Sequence, residues 1–217
     1  MPSNNIHKTF EDIHVNWQWL DRDPERETTC WVWSKVSNNK ILINNIPLII
    51  QKYWIKEIID LWCWDINWIK LLFNYFIENN IEYTWLDVSK TIISKAIQKI
   101  DFETKNIKLK VWTIADIKSV NDKNTLIIAK DVLVHLPNKI IVDTLTQSAQ
   151  NANLILTTNF PDSWWDKDIE LWNWRPINLM NNTFWLKSPL EIISNVDKST
   201  KNIFPDKNMS LFSLKNF

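Results

Sequence analysis

The chain contains no glycine in 217 residues, yet it carries 15 tryptophans. A soluble domain of this length holds about 15 glycines at the usual ~7%. Their absence constrains the fold more than any other feature. Only glycine reaches positive φ cheaply and lets backbone pass close to a ligand. Taken literally, every tight turn must be built without it. The tryptophans moreover stand where glycines belong. They form the alternating pairs Trp17/Trp19, Trp31/Trp33 and Trp62/Trp64, and they fall at turn-like spots after apolar runs. The chain is also rich in Ile, Asn and Lys, as an AT-rich coding sequence would be. Together these features predict that most of the tryptophans are glycines in the natural protein, written as tryptophan from recoded UGA codons.

The rest of the composition excludes several classes. With 25 acidic and 25 basic residues the formal charge is zero, and no basic block marks a nucleic-acid footprint. Cys30 and Cys63 lie far apart and give neither a disulfide nor a zinc framework, which favours a reducing compartment. The N-terminus, MPSNNIHKTF, lacks the apolar core of a signal peptide. No stretch approaches the ~18 uninterrupted apolar residues of a membrane span. The expectation is a soluble, cytoplasmic protein with no membrane partner and no bound metal; its oligomeric state is not legible.

Residues 1–35 are polar and carry the charged run Asp21-Arg22-Asp23-Pro24-Glu25-Arg26-Glu27, which reads as an extension lying over the domain. The domain itself takes residues 36–217. Residues 38–53 are mixed, and Pro47 sits where a helix could start or kink. From there strands and helices alternate. Strands are expected at Lys56–Leu61, Glu82–Asp87, Lys108–Trp112, Thr125–Lys130 and Leu154–Thr158. Helices are expected at Asn67–Glu78, at Lys90–Ile100 behind a Ser89 cap, and at Pro137–Gln150 with Pro137 in the first turn. Short terminal strands are expected at Leu190–Ser194 and Ser210–Leu214. This rhythm argues an α/β architecture, a mostly parallel sheet with helices on both faces.

In such sheets ligands bind beyond the carboxyl ends of the strands. The first strand runs out through Asp60-Leu61-Trp62-Cys63-Trp64-Asp65, which becomes D-L-G-C-G-D when glycine is read at 62 and 64. That loop lets backbone approach a ligand with a helix N-terminus behind it. Asp87 ends the second strand 22 residues beyond Asp65, near the spacing at which an acidic residue takes ribose hydroxyls. A carboxylate suits a ribose because it accepts hydrogen bonds from adjacent hydroxyls. Asp116, after the third strand, lies where a side chain could accept from an adenine amino group. As spelled, Trp62 and Trp64 fill this pocket with indole, and their β-carbons oppose the φ > 0 that such turns need.

These residues carry a resemblance. D-L-x-C-x-D and Y-T-x-L-D-V-S (83–89) resemble the first two motifs of class I S-adenosylmethionine (SAM)-dependent methyltransferases. Ala129-Lys130-Asp131-Val132-Leu133-Val134-His135-Leu136 resembles the segment after their fourth strand. Cys63-Trp64-Asp65-Ile66-Asn67-Trp68-Ile69-Lys70, LILTTNFP (154–161), Asp168-Ile169 with Trp172-Asn173-Trp174-Arg175-Pro176-Ile177-Asn178-Leu179, and Asp206, Lys207 and Leu211 are similar, in order, to one largely uncharacterised bacterial group of that class. The likeness covers roughly residues 28–217. Trp68 and Trp174 match true tryptophans of the group, whereas 62, 64, 85 and 172 match glycines. Trp31 and Trp33 fall in a glycine-bearing segment, and Ile66 departs from the third glycine of the wider class.

The resemblance implies a Rossmann-like, seven-stranded, mostly parallel sheet, with SAM as cofactor. Asp60, Trp62, Cys63, Trp64, Asp65, Asp87, Val88, Asp116 and Lys130 then border the cofactor, with Asp87 on the ribose and Asp116 on the adenine. His135 becomes the candidate general base, and Asp131 orients the cofactor's ammonium or the acceptor. Trp174 and Arg175 offer an aromatic face and a guanidinium, suited to an acceptor contact or a lid. The acceptor is a small molecule or a protein side chain. Competing readings are a non-catalytic SAM-binding or scaffold protein, a degenerate ligand-free domain if the tryptophans are literal, and a dinucleotide oxidoreductase. Asn67 disfavours the last, because it breaks G-x-G-x-x-G.

Overall fold

A computed structural model describes residues 8, 11–12, 32–61, 66–98, 100, 105–112, 117, 124–165, 167–194 and 202–215. Seven strands form one sheet: β1 (Glu57–Leu61), β2 (Glu82–Asp87), β3 (Ile107–Val111), β4 (Thr125–Ala129), β5 (Leu154–Asn159), β6 (Glu191–Ser194) and β7 (Asn208–Ser213). Their order is β3-β2-β1-β4-β5-β7-β6. The first five are parallel, and β7 runs antiparallel to both β5 and β6. This is the Rossmann-like, mostly parallel seven-stranded sheet expected from the sequence. Its switch point lies between β1 and β4, which pair from Glu57↔Thr125 to Asp60↔Ile128. The carboxyl ends of β1, β2, β4 and β5 and the amino end of β7 therefore share one edge.

Among the described residues four helices cover the sheet: α1 (Val36–Tyr53), α2 (Phe73–Glu78), α3 (Lys90–Ile97) and α4 (Asn138–Asn151). Alternation along the buried strands sends neighbours to opposite faces. Ile58, Tyr83, Trp85, Leu126 and Ile128 pack with Leu42, Ile46, Phe73, Phe76, Ile92 and Ile93, residues of α1, α2 and α3. Ile59, Leu61, Leu86, Ile127, Ala129 and Ile155 pack instead with Ile141 and Leu145 of α4 and with Phe160, Ile177 and Leu179.

Two local readings need correction. Residues 38–53 are neither mixed nor interrupted: α1 is an 18-residue helix with Pro47 inside it. A mid-helix proline costs about 3 kcal/mol. Leu42, Ile46, Ile49 and Ile50, all buried on one stripe, each return about 1.5–3 kcal/mol and outweigh that cost. The helix expected at Asn67–Glu78 begins late, since Asn67 and Trp68 lie in a turn, Ile69–Leu72 is 3-10 and only Phe73–Glu78 is α-helical. Asn67 is held out of the helix because its Nδ2 donates to the Ser34 carbonyl at 3.0 Å. Pro137 sits at the cap of α4 rather than in its first turn.

α1 ends in a full Schellman arrangement. The Trp54 N–H reaches the Gln51 carbonyl at 3.5 Å and the Ile55 N–H reaches Ile50 at 3.0 Å, with Trp54 left-handed at φ 55. Glycine is the usual occupant of that position.

Candidate functional site

Asp60 is fully buried in β1, and the Tyr83 hydroxyl donates to its Oδ2 at 2.7 Å. Asp87 closes β2. Its Oδ1 accepts from the Ser89 N–H at 2.8 Å, and Ser89 Oγ in turn accepts from Ile92 N–H at 3.2 Å, capping α3. Burial pushes the Asp87 carboxyl up to about 7, and the charges of Glu11 and Asp60 push the same way against the N–H groups of Ser89 and Val88. Asp87 is therefore poised near neutrality. Val88 is buried next to it among the residues packed on the α4 face. Trp62, Cys63, Trp64, Asp65 and Asp116 lie outside the described residues.

Beyond β4 the chain turns sharply. Asp131 is left-handed at φ 54, and its N–H donates to Thr158 Oγ1 at 2.8 Å. The Asp131 carboxylate is buried and takes three groups: Lys130 Nζ at 2.8 Å, Lys207 Nζ at 3.0 Å and the Thr158 hydroxyl at 3.1 Å. Burial alone would raise its pKa, but the two ammonium groups hold it well below the usual carboxylate range. Lys130 also donates to the Trp33 carbonyl at 3.3 Å.

His135 ends the 3-10 turn Leu133–His135 and is 5% exposed. Its Nδ1 lies 3.1 Å from the Asn173 carbonyl, which can only accept, so Nδ1 carries the proton and Nε2 the lone pair. Burial drives its pKa down to about 4, and the nearby Lys207 charge acts in the same direction. The imidazole is neutral at physiological pH. Its ring stacks on Trp172, with centroids 5.2 Å apart and planes 12° off parallel.

The segment 168–175 is fastened to this turn. Trp172 N–H donates to the His135 carbonyl at 2.9 Å and Arg175 N–H to Val134 at 3.1 Å. Asp168 Oδ1 accepts from the Asn138 N–H at 2.7 Å, where α4 starts. Arg175 is buried, with Nη2 donating to Asn138 Oδ1 and Nη1 4.0 Å from Asp168. Trp174 is half-buried, edge-on to Phe160 at 5.9 Å and tilted against Phe204 at 4.8 Å.

The structure thus gathers Asp60 and Asp87 at the β1–β2 end of the edge. Lys130, Asp131 and His135 gather at the β4 end, with Arg175 and Trp174 behind them. Sequence reasoning missed Thr158, Lys207 and Asn173 as members of the site. Lys207 stood in a quoted motif, but nothing local to it signals a partner 76 residues away. Among the described residues no cluster of three metal-ligating side chains occurs, and no helix is long and apolar enough to cross a membrane.

No protein-family model matches the chain, and no curated protein sequence matches it. Solved structures do. The fold is similar to magnesium protoporphyrin IX methyltransferase from Synechocystis with bound SAH, at TM-score 0.59 and 10% identity over 97% of this chain and 98% of that one. It is similar to a SAM-dependent methyltransferase from Clostridium acetobutylicum, at TM-score 0.58 and 12% identity over 97% and 98%. The N-methyltransferase NodS from Bradyrhizobium japonicum follows at TM-score 0.55 and 12% identity over 83% and 96%. At these identities the likeness is one of fold.

Proposed function

We propose that this chain is a class I SAM-dependent methyltransferase of the bacterial group its motifs resemble. In this reading residues 36–217 are the catalytic domain, residues 1–35 are an extension over it, and the protein is cytoplasmic. The observation that carries the reading is Asp87. A buried carboxyl at the end of β2, anchored by backbone N–H groups and poised near neutrality, fits a ribose whose two hydroxyls donate to it. SAM supplies an activated methyl group on a sulfonium. Asp60 and Val88 border the same end, while loop 62–65 and Asp116 take the methionine and adenine parts.

The protein's own contribution is mainly positioning, worth up to ~7–11 kcal/mol where geometry is ideal. His135 is supported as the base by its neutral state and fixed tautomer, which leave Nε2 able to take a proton from the acceptor. Asp131, held by Lys130 and Lys207, fixes the turn that carries His135. Arg175 and Trp174 hold segment 168–175 as a lid on the acceptor side. The acceptor is a small molecule or a protein side chain.

The same reading takes most tryptophans as glycines decoded from UGA. Trp54, Trp172 and Trp185 have φ of 55, 85 and 55, a region unfavourable for a bulky residue. Trp85 is fully buried beside the site, and among the described residues its indole N–H has no hydrogen-bond partner. Trp68 is buried core, as expected of a true tryptophan.

Calorimetry with SAM and with NAD on the Trp62→Gly, Trp64→Gly, Trp85→Gly form tests the function. SAM binding followed by turnover on an acceptor panel is expected. Binding of NAD but not SAM overturns the reading, and binding without turnover favours a scaffold. Mass spectrometry of the natural protein tests the recoding, which an intact tryptophan at position 62 would sink.

A further inference from the structure

The start of α4 takes its anion from outside the helix. Pro137 caps it without a side-chain hydrogen bond, and its first turn holds no acidic residue. The first N–H groups of a helix lack acceptors within it, and its dipole favours an anion there. Asp168 supplies one from the 168–175 segment, its Oδ1 accepting from the Asn138 N–H at 2.7 Å and the Ile169 N–H at 2.8 Å. The Asp168 side chain is 54% exposed, whereas that of Arg175 beside it is 1% exposed.

The two charges are poorly joined. Arg175 Nη2 donates to Asn138 Oδ1, but Nη1 stops 4.0 Å from Asp168 Oδ1, beyond hydrogen-bond length. Among the described residues the buried Nη1 has no hydrogen-bond partner. A buried donor left without an acceptor is costly, and a guanidinium is best met by a carboxylate matched to its fork. Two demands therefore converge at one place: a helix N-terminus that takes an anion, and a buried guanidinium N–H aimed at it. The place adjoins the candidate base. Arg175 N–H donates to the Val134 carbonyl, and the Asn173 carbonyl holds His135 Nδ1.

We propose that Arg175 and the first turn of α4 anchor a carboxylate of a small-molecule acceptor, and that Asp168 holds this place in the free protein. The proposal rests on the methyltransferase reading for the ligand's role as acceptor; the anchored carboxylate is not the group methylated. Binding is an exchange. The ligand's carboxylate takes the Asn138 N–H and Arg175 Nη1, and Asp168 turns out to the solvent it already half faces. A carboxylate fits because one already sits there, and its single charge matches that of one guanidinium; a phosphate group carries about −1.5 to −2 at pH 7. The exchange sets the two residues in opposition, since Asp168 competes with the ligand and Arg175 holds it. In a purely structural ion pair, removing either charge acts alike.

The full chain as spelled is titrated with acetate, inorganic phosphate and acetamide, with the Asn138 and Lys139 amides followed by NMR. The same is done for Asp168→Asn and Arg175→Met. Acetate should shift both amides, binding roughly tenfold tighter in Asp168→Asn and roughly tenfold weaker in Arg175→Met, from loss of a competing or a holding charge-assisted hydrogen bond. Equal or weaker acetate binding in Asp168→Asn overturns the anchor, and this arm decides even where Arg175→Met does not fold. Unchanged binding in a folded Arg175→Met, or acetamide binding as tightly as acetate, overturns it too. Phosphate binding tighter than acetate overturns the carboxylate assignment. In the Trp62→Gly, Trp64→Gly, Trp85→Gly form, methyl transfer from SAM should favour carboxylic acids over their amides roughly tenfold in kcat/KM, and equal rates overturn the acceptor role. Acetate binding as expected in a protein that binds NAD instead of SAH supports the anchor and overturns the SAM reading.

Discussion

If Asp87 receives the ribose as a carboxylate, cofactor affinity must follow its ionisation. Ligand-free Asp87 sits at about 7 because burial penalises the charged form. At pH 8 about 90% of such groups are ionised, and at pH 6 about 10%. The dissociation constant for SAH should therefore rise about tenfold from pH 8 to pH 6, equivalent to about 1.4 kcal/mol. Near pH 7 each binding event should release about half a proton. Titration calorimetry at pH 6, 7 and 8, in buffers of differing ionisation enthalpy, reads both quantities. The Asp87→Asn variant subtracts the ligand's own protonation and should bind weakly with little pH dependence. The free protein should show the converse. A carboxyl raised in the folded state contributes stability that is fully present below its unfolded pKa of about 3.9 and is lost as pH rises through about 7. Equal affinity at pH 6 and 8, or the same slope in Asp87→Asn, would refute the assignment of Asp87 to the ribose.

Other expectations follow from the same geometry. Trp54→Gly should raise stability by about 1–2 kcal/mol by relieving the left-handed cap, adding several degrees to Tm; an unchanged or lower Tm would show that the exposed indole contributes there. Asp131→Asn should cost about 3–5 kcal/mol in urea unfolding, because it leaves the Lys130 and Lys207 ammonium groups buried without this carboxylate. Adding Lys207→Met should recover part of that loss, and full additivity would contradict the coupling. Nitrogen NMR of His135 should show the neutral Nδ1–H tautomer persisting down to about pH 5; a midpoint near 6.5 would remove the argument for a neutral base.

The architecture was legible because it depends on local pattern. Apolar runs such as Ile58–Ile59 and Leu126–Ala129 are buried on both faces, and their spacing by helical segments forces a parallel sheet with crossovers. Ser89 as a cap and Asp87 as a strand-terminal carboxyl were likewise readable, since cap and turn chemistry act within a few residues. Pro47 misled, because helix α1 is decided by the stripe it buries and not by its propensities.

What only the tertiary structure decided lies across long sequence separations. The sequence by itself placed His135 and Asp131 in one loop, but their protonation states come from elsewhere. Lys207 arrives from just before β7 to join the neighbouring Lys130 on Asp131, and the Asn173 carbonyl fixes the His135 tautomer. Asp87 is similar: its position was written in the chain, whereas its pKa follows from burial under the packed sheet and from Glu11. Residue identity and spacing set where charges can stand. Desolvation and long-range partners, which exist only once the chain is folded, set which of them are ionised and what each can do.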